Sequence, residues 1–310
     1  MIRLCDSTWR CLYDECNFCK REIENQAVKR NKSMQEVLTA YGLERTIYRL
    51  SISKYAEKFT LKGGIFLYAL FKGEFARATR DIDLLANSIS NEATDMKMVF
   101  EDIFNIECDD ALYFDISTLK VVNITEFKEY HGVNVSINAY LDKTIVPVSI
   151  DVVFGDVIYP DRVKMEFPVL LDMEVPEIYA YSIYSVIAEK FEAIVSLGDA
   201  NSRYKDYYDI YILANKYDYN GTELKNAISE TFEHRETGFT GIVAFEEEFA
   251  EKEIHKNRWK AFLKKKGALR GVDFAITVEF LKEFLEPVVK AIIKETDFDL
   301  SWDCTKLIWK

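Results

Sequence analysis

"KGGIFLYALFKGEFARATRDIDLL", residues 62–85, carries the pattern that decides the fold. A glycine pair opens it, an apolar run from Ile65 to Phe71 follows, and two aspartates separated by one apolar residue close it. Glycines supply the backbone freedom of a tight turn, so the apolar run reads as a buried helix entered through that turn. "DIDLLA" (81–86) then alternates with a period of two, the mark of a strand. Asp81 and Asp83 fall on one face, Ile82 and Leu84 on the other. Two carboxylates so placed read as oxygen ligands for a divalent cation, or as charges on a solvated strand edge. The glycine pair likewise reads as a turn alone, or as backbone N–H groups that receive a phosphate.

Upstream, "SMQEVLTAYGLERTIYRL" (33–50) has the signature of a capped helix: Ser33 and Glu36 have capping-box spacing, and Met34, Val37, Leu38 and Tyr41 keep helical spacing. Downstream, "LKVVNIT" (119–125), "GVNVSINAY" (132–140) and "IVPVSIDVVF" (145–154) read as strands, with "LDKT" connecting the last two. In the last strand Ser149, Asp151 and Val153 oppose Val148, Ile150 and Val152, which makes Asp151 a carboxylate inside an apolar strand. Beyond Pro168 the pattern becomes helical, in "EIYAYSIYSVIAEKFEAIVSLG" (177–198), "RYKDYYDIYILANKY" (203–217) and "ITVEFLKEFLEPVVKAIIKE" (276–295). The expected fold is α/β (α+β), with N-terminal helices and a C-terminal helical domain. No strong linker is visible; the expected divisions are 1–50 (extension and helical segment), 51–170 (α/β core) and 171–310 (helical domain), with a soft boundary at 165–175.

The composition, 49% hydrophobic in 310 residues, is that of a folded globular chain. Its formal net charge of −12 repels polyanions, so a nucleic-acid partner must meet a local basic surface. "KEIHKNRWKAFLKKKGALR" (252–270) has eight Lys or Arg against one Glu, and Lys256, Lys260 and Lys264 fall on one helical stripe. It reads as a solvated helix face or as an RNA contact, tempered by the acidic "FEEEFAEKE" just before it. No apolar run reaches the roughly 18 residues that span a bilayer, and a cytoplasmic location is expected. Cys5, Cys11, Cys16 and Cys19 crowd the first 19 residues, and Cys16-Asn-Phe-Cys19 has half-zinc-site spacing. There is no second CxxC and no histidine before His131, which favours reduced thiols in a peripheral segment.

In order and spacing, "LKGG" (61–64), "RATRDIDLL" (77–85), "SIDVVFGDVIYP" (149–160), "AEKFEAI" (188–194) and "RYKDYYDIYIL" (203–213) resemble the AbiEii/AbiGii toxin family of polymerase-β-type bacterial nucleotidyltransferases. "LERTIYRLSISKYAEKFTLKGG" upstream, and "WKAFL" and "FLEPV" downstream, extend the resemblance over about residues 33–290. The resemblance implies a polymerase-β-like core with a mixed sheet. It makes Gly63 and Gly64 the phosphate-side glycines, Asp81 and Asp83 the metal-binding pair, and Asp151 the third carboxylate. Arg77 and Thr79 would contact phosphate or orient the loop, Lys190 would touch the nucleotide's phosphates, and Asp206 would be catalytically important with Arg203 and Asp209 in support. Ile65 departs from the small hydroxyl residue the family often has after the glycines, which removes one phosphate contact.

The implied activity is Mg²⁺- or Mn²⁺-dependent transfer of an NMP from an NTP, with pyrophosphate release, to an RNA acceptor, the 3′ end of tRNA. The implied setting is a type IV toxin–antitoxin or phage abortive-infection system with a separately encoded antitoxin. Each residue keeps a plainer alternative: Lys190 can snorkel to solvent, and Asp206 and Asp209, three apart on one helix face, can form a surface salt bridge. The rival functions are a nucleotide-sugar glycosyltransferase, whose DxD also holds a metal, and a catalytically silent scaffold or antitoxin-binding module. The glycine pair has no place in the first, and the intact Asp81, Asp83, Asp151, Lys190 and Asp206 oppose the second.

Overall fold

The computed structural model describes residues 6–74, 79–124, 132–266 and 272–310. It divides into two compact units, Met1–Gly155 with Val163–Ala180, and Asp156–Arg162 with Tyr181–Lys310. The first unit contains α1 (Asp6–Arg30), α2 (Met34–Ile52), β1 (Phe59–Lys62), α3 (Gly63–Leu70), β2 (Ile82–Ala86), α4 (Ala93–Phe104), β3 (Leu112–Ile124), β4 (Gly132–Leu141), β5 (Thr144–Phe154), β6 (Val163–Glu166) and β7 (Glu177–Ala180). Its strands form one mixed sheet ordered β3-β4-β5-β2-β1-β7-β6. β2 lies mid-sheet, antiparallel to β1 and parallel to β5.

Strand alternation makes one sheet face apolar. Val146, Val148, Ile150 and Val152 of β5 are buried, with Val133, Val135 and Ile137 of β4 and Ile82 and Leu84 of β2. α2 packs on this face so closely that a Cβ on Gly42 would stand 2.7 Å from Val146 Cγ1. The helix starts as its sequence indicates: Ser33 N donates to Glu36 Oε2 at 2.9 Å, and Glu36 N to Ser33 Oγ at 3.3 Å. It is not one-sided, however, because Glu44, Arg45, Thr46 and Arg49 are buried too. Asp110 accounts for the two arginines by accepting from Arg45 Nε at 3.1 Å and Arg49 Nη2 at 3.0 Å. Charges persist in a core when they are paired and hydrogen-bonded.

Several elements differ from the sequence pattern. β1 and β6 carry no visible periodicity, since four residues are too few to show one. β7 takes residues 177–180 of a segment that reads as helix; α5 starts only at Ile183, where Ser182 Oγ accepts from Ser185 N at 3.1 Å. β3 starts at Leu112, seven residues before its recognisable stretch, and the end of that stretch, Thr125, lies outside the described residues. Where its side chains are described, from residue 17 on, α1 is not peripheral: Cys19, Ile23 and Ala27, four apart, are all buried. Cys19 on that helix is in no disulfide, and the side chains of Cys5, Cys11 and Cys16 lie outside the described residues.

The second unit contains α5 (Ile183–Leu197), α6 (Tyr204–Lys216), β8 (Tyr219–Asn220), α7 (Gly221–His234), α8 (Glu247–Glu251), α9 (Glu253–Lys266), α10 (Phe274–Ile293), β9 (Ser301–Asp303) and β10 (Ile308–Trp309). It is helical with a small sheet ordered β10-β9-β8. Buried Trp302 anchors that sheet, donating Nε1–H to Ala214 O at 2.8 Å and meeting the Phe284 ring edge-on.

Candidate active site

β1 ends at Lys62 and the chain turns directly into α3. Gly63 makes the turn at φ +64°, in the left-handed region that favours glycine. The backbone then passes β2 so closely that a Cβ on Gly63 would lie 2.1 Å from Asp83 Oδ2. Gly64 N–H, in the first turn of α3, donates to the same oxygen at 3.3 Å. Helix-start N–H groups carry partial positive charge and receive anions. The glycine pair is therefore a required turn, and its Gly64 N–H faces the Asp83 carboxylate.

The sheet register aligns the acidic residues. Asp83 is paired with Lys62 on β1 and Asp151 on β5, and Asp151 with Asn134 on β4. Register partners project from the same face, so Lys62, Asp83, Asp151 and Asn134 form a row across strands roughly 4.8 Å apart. Asp151 lies opposite buried Ile150 and Val152, as the alternation of β5 requires. Asp81 sits exposed in the bend before Ile82, outside the strand proper. Thr79 Oγ1 donates to Asp81 O at 3.2 Å and so shapes that bend. Arg77 lies outside the described residues.

Adjacent carboxylates repel unless a cation compensates. The row contains one cation, Lys62, which is only 9% exposed and in register with Asp83. Asp151 Oδ1 also accepts from Asn134 Nδ2 at 2.7 Å, and the same Nδ2 reaches Ser149 Oγ at 3.0 Å. Among the described residues no three His, Cys, Asp or Glu side chains are gathered closely enough to hold a metal ion. The donor set nevertheless fits a hard divalent cation in kind, because paired carboxylates on adjacent strands offer oxygen ligands at neighbouring positions.

In the second unit, Lys190 of α5 donates Nζ to Asp206 Oδ1 at 3.1 Å and to Asp209 Oδ2 at 2.7 Å, both on α6. Both aspartates are fully buried, and Arg203 Nε lies 2.9 Å from Asp206 Oδ2. Lys190 does not snorkel, and the aspartates are buried rather than on the surface, with Arg203 half-exposed beside them. Burial pushes the Asp206 carboxyl up, but Lys190, Arg203 and Lys205 outweigh it and hold the group below its usual range. Of the basic stripe, Lys256 is paired with Glu251 at 2.6 Å, whereas Lys260 and Lys264 are exposed; residues 267–271 lie outside the described residues. Trp259 is buried and turns α9 toward Tyr204 and Tyr208 of α6.

The family model for the nucleotidyl transferase AbiEii toxin of a type IV toxin–antitoxin (TA) system matches residues 45–278. The chain belongs to the AbiEii family. It is accordingly a nucleotidyltransferase of a toxin family whose systems include a separate antitoxin. The match spans Gly63, Gly64, Asp81, Asp83, Asp151, Lys190, Arg203, Asp206 and Asp209. Two solved structures are similar at 14% sequence identity and a TM-score of 0.49: JHP933 from Helicobacter pylori, over 85% of this chain and 95% of that one, and an H. pylori "putative nucleotidyltransferase", over 86% and 100%. No curated protein matches the chain. Among the described residues no helix is long and apolar enough to cross a membrane. Within this AbiEii chain, sequence reasoning missed Lys62 and Asn134. Lys62 adjoins the glycine pair, but the significance of Asn134 shows only once β4 is registered on β5.

Proposed function

We propose that this AbiEii protein transfers an NMP from an NTP to the 3′ end of a tRNA, in a reaction requiring Mg²⁺ or Mn²⁺. The observation that carries this reading is the register pairing of Asp83 with Asp151, beside the Gly63–Gly64 turn. Asp81, Asp83 and Asp151 would hold the divalent cation. When bound, it supplies Lewis-acid polarisation of the reacting phosphate and neutralises charge on departing pyrophosphate. The N–H groups around the Gly63–Gly64 turn, apart from the Gly64 N–H that donates to Asp83 Oδ2, offer donors to nucleotide phosphate oxygens. Thr79 fixes the approach to Asp81, and Arg77 is assigned to phosphate contact. In the second unit, we assign Arg203 and Lys190 to nucleotide phosphate, with Asp206 and Asp209 setting the position of the lysine.

In the transfer, the acceptor hydroxyl oxygen forms a bond to the α-phosphorus while the bond to pyrophosphate breaks and the hydroxyl proton passes to solvent. A polyanionic acceptor must overcome the charge of −12, and exposed Lys260 and Lys264 on α9 offer it local positive charge. The biological reading is a toxin of a type IV toxin–antitoxin or phage-defence system, acting in the cytoplasm. The test is incubation with each α-labelled NTP, Mg²⁺ and total bacterial RNA. Label in a tRNA-sized band supports the reading and names the nucleotide; label confined to protein or a small molecule overturns the acceptor.

A further inference from the structure

The Asn134 amide donates to the carboxylate in the middle of the row, 2.7 Å from Nδ2 to Asp151 Oδ1. A carboxylate only accepts, so the amide must turn its NH₂ toward Asp151; the chemistry fixes which way Asn134 faces. The second Nδ2 hydrogen goes to Ser149 Oγ at 3.0 Å, on the same face and two residues along β5. One neutral side chain thus bridges two successive face residues of β5 from the neighbouring strand. All three are half-buried, so the bonds are partly shielded from water. On the other flank Asp83 Oδ2 is fixed by Gly64 N–H.

We propose that Asn134 is a positioning residue for nucleotidyl transfer: it clamps Asp151 through Oδ1 and leaves Oδ2 free to join Asp83 in holding a divalent cation. The inference rests on the proposed role of Asp151. A neutral donor suits this position because it orients the carboxylate without neutralising it. A lysine or arginine there would compete with the metal for the charge, whereas an aspartate would repel it. Ser149 completes the clamp by fixing the amide plane. Partners that orient metal ligands from behind are worth about 10- to 100-fold in metal affinity or activity.

The experiment compares the full chain with Asn134→Ala, the isosteric Asn134→Asp and Asp151→Asn. Two readouts are taken against Mn²⁺ concentration: thermal stabilisation in the presence of a non-hydrolysable NTP analogue, and transfer of label from NTP. Asn134→Ala is expected to need about 10- to 100-fold more Mn²⁺ for half-maximal effect in both, with KM for NTP little changed at saturating metal. Should Asn134→Ala fail to fold, Asn134→Leu, similar in shape but without a donor, takes its place with the same expectation. Wild-type metal dependence in a folded Asn134 variant, with only a lower Tm, would overturn the inference and leave Asn134 as sheet packing. Wild-type metal dependence in Asp151→Asn would instead overturn the underlying reading of the site.

Discussion

Gly63 and Asp83 are locked together: a single carbon added to the glycine would stand 2.1 Å from Asp83 Oδ2 and 2.8 Å from its Cβ. The contact joins the turn after β1 to the strand that carries the acidic residue, so neither can shift alone. Gly63→Ala must therefore strain its own left-handed backbone and displace Asp83. The expected cost is roughly 1–3 kcal/mol in urea denaturation, with transfer activity lowered at least about 100-fold through the misplaced carboxylate. Gly64→Ala is the contrast, since Gly64 is not in the left-handed region and its N–H survives substitution. It is expected to retain most of its stability.

Lys190 is bonded to two fully buried aspartates. Lys190→Met leaves Asp206 and Asp209 without their shared cation, which is expected to cost roughly 3–5 kcal/mol. Denaturant titration checks this without reference to activity. An unchanged midpoint would mean that the lysine serves substrate alone. The carboxyl of Asp206 is held below its usual range, so its contribution to stability is present above the unfolded carboxylate pKa and is lost as pH falls through the lower folded value.

Glu44 behaves in the opposite sense. Burial on α2 is the main cause that pushes its carboxyl up from 4.5 to about 7, despite the Leu170 N–H that donates to it at 2.7 Å. A raised acid binds its proton more tightly when folded, so its stabilisation is complete below pH 4.5 and is lost as pH rises through about 7. Glu44→Gln keeps an acceptor for Leu170 and removes the titration. The variant is expected to gain up to about 3 kcal/mol relative to wild type between pH 4 and pH 8, measured as the difference between their stability curves.

How much of this was legible in the sequence depended on the reach of each interaction. The capping box at Ser33 and Glu36, the alternation around Asp151 and the glycine turn are set by residues within a few positions of each other, and each appears in the structure. β7 was hidden because "EIYA" is apolar enough to continue the helical spacing of the segment after it, and only pairing with β1 and β6 makes it a strand. The burial of Arg45 and Arg49 depends on Asp110, more than 60 residues away, and could not be seen in the period of α2. Asp81, Asp83 and Asp151 were visible as candidates, but Asn134 and Lys62 acquire meaning only from the register of four strands. The burial of Asp206 and Asp209 was hidden for the same reason: their shared partner Lys190 is on another helix.

The central claim is that Asp83 and Asp151, neighbours across parallel strands, carry the transfer reaction. Label transfer from α-labelled NTP to RNA with Mg²⁺, measured for wild type, Asp83→Asn and Asp151→Asn at matched thermal stability, tests it most directly. Each variant is expected to fold, because removing one of two adjacent like charges relieves repulsion, and to lose transfer by about 1000-fold or more, on the order of 4 kcal/mol of transition-state stabilisation. A folded variant of either aspartate that labels RNA at close to the wild-type rate would contradict the account.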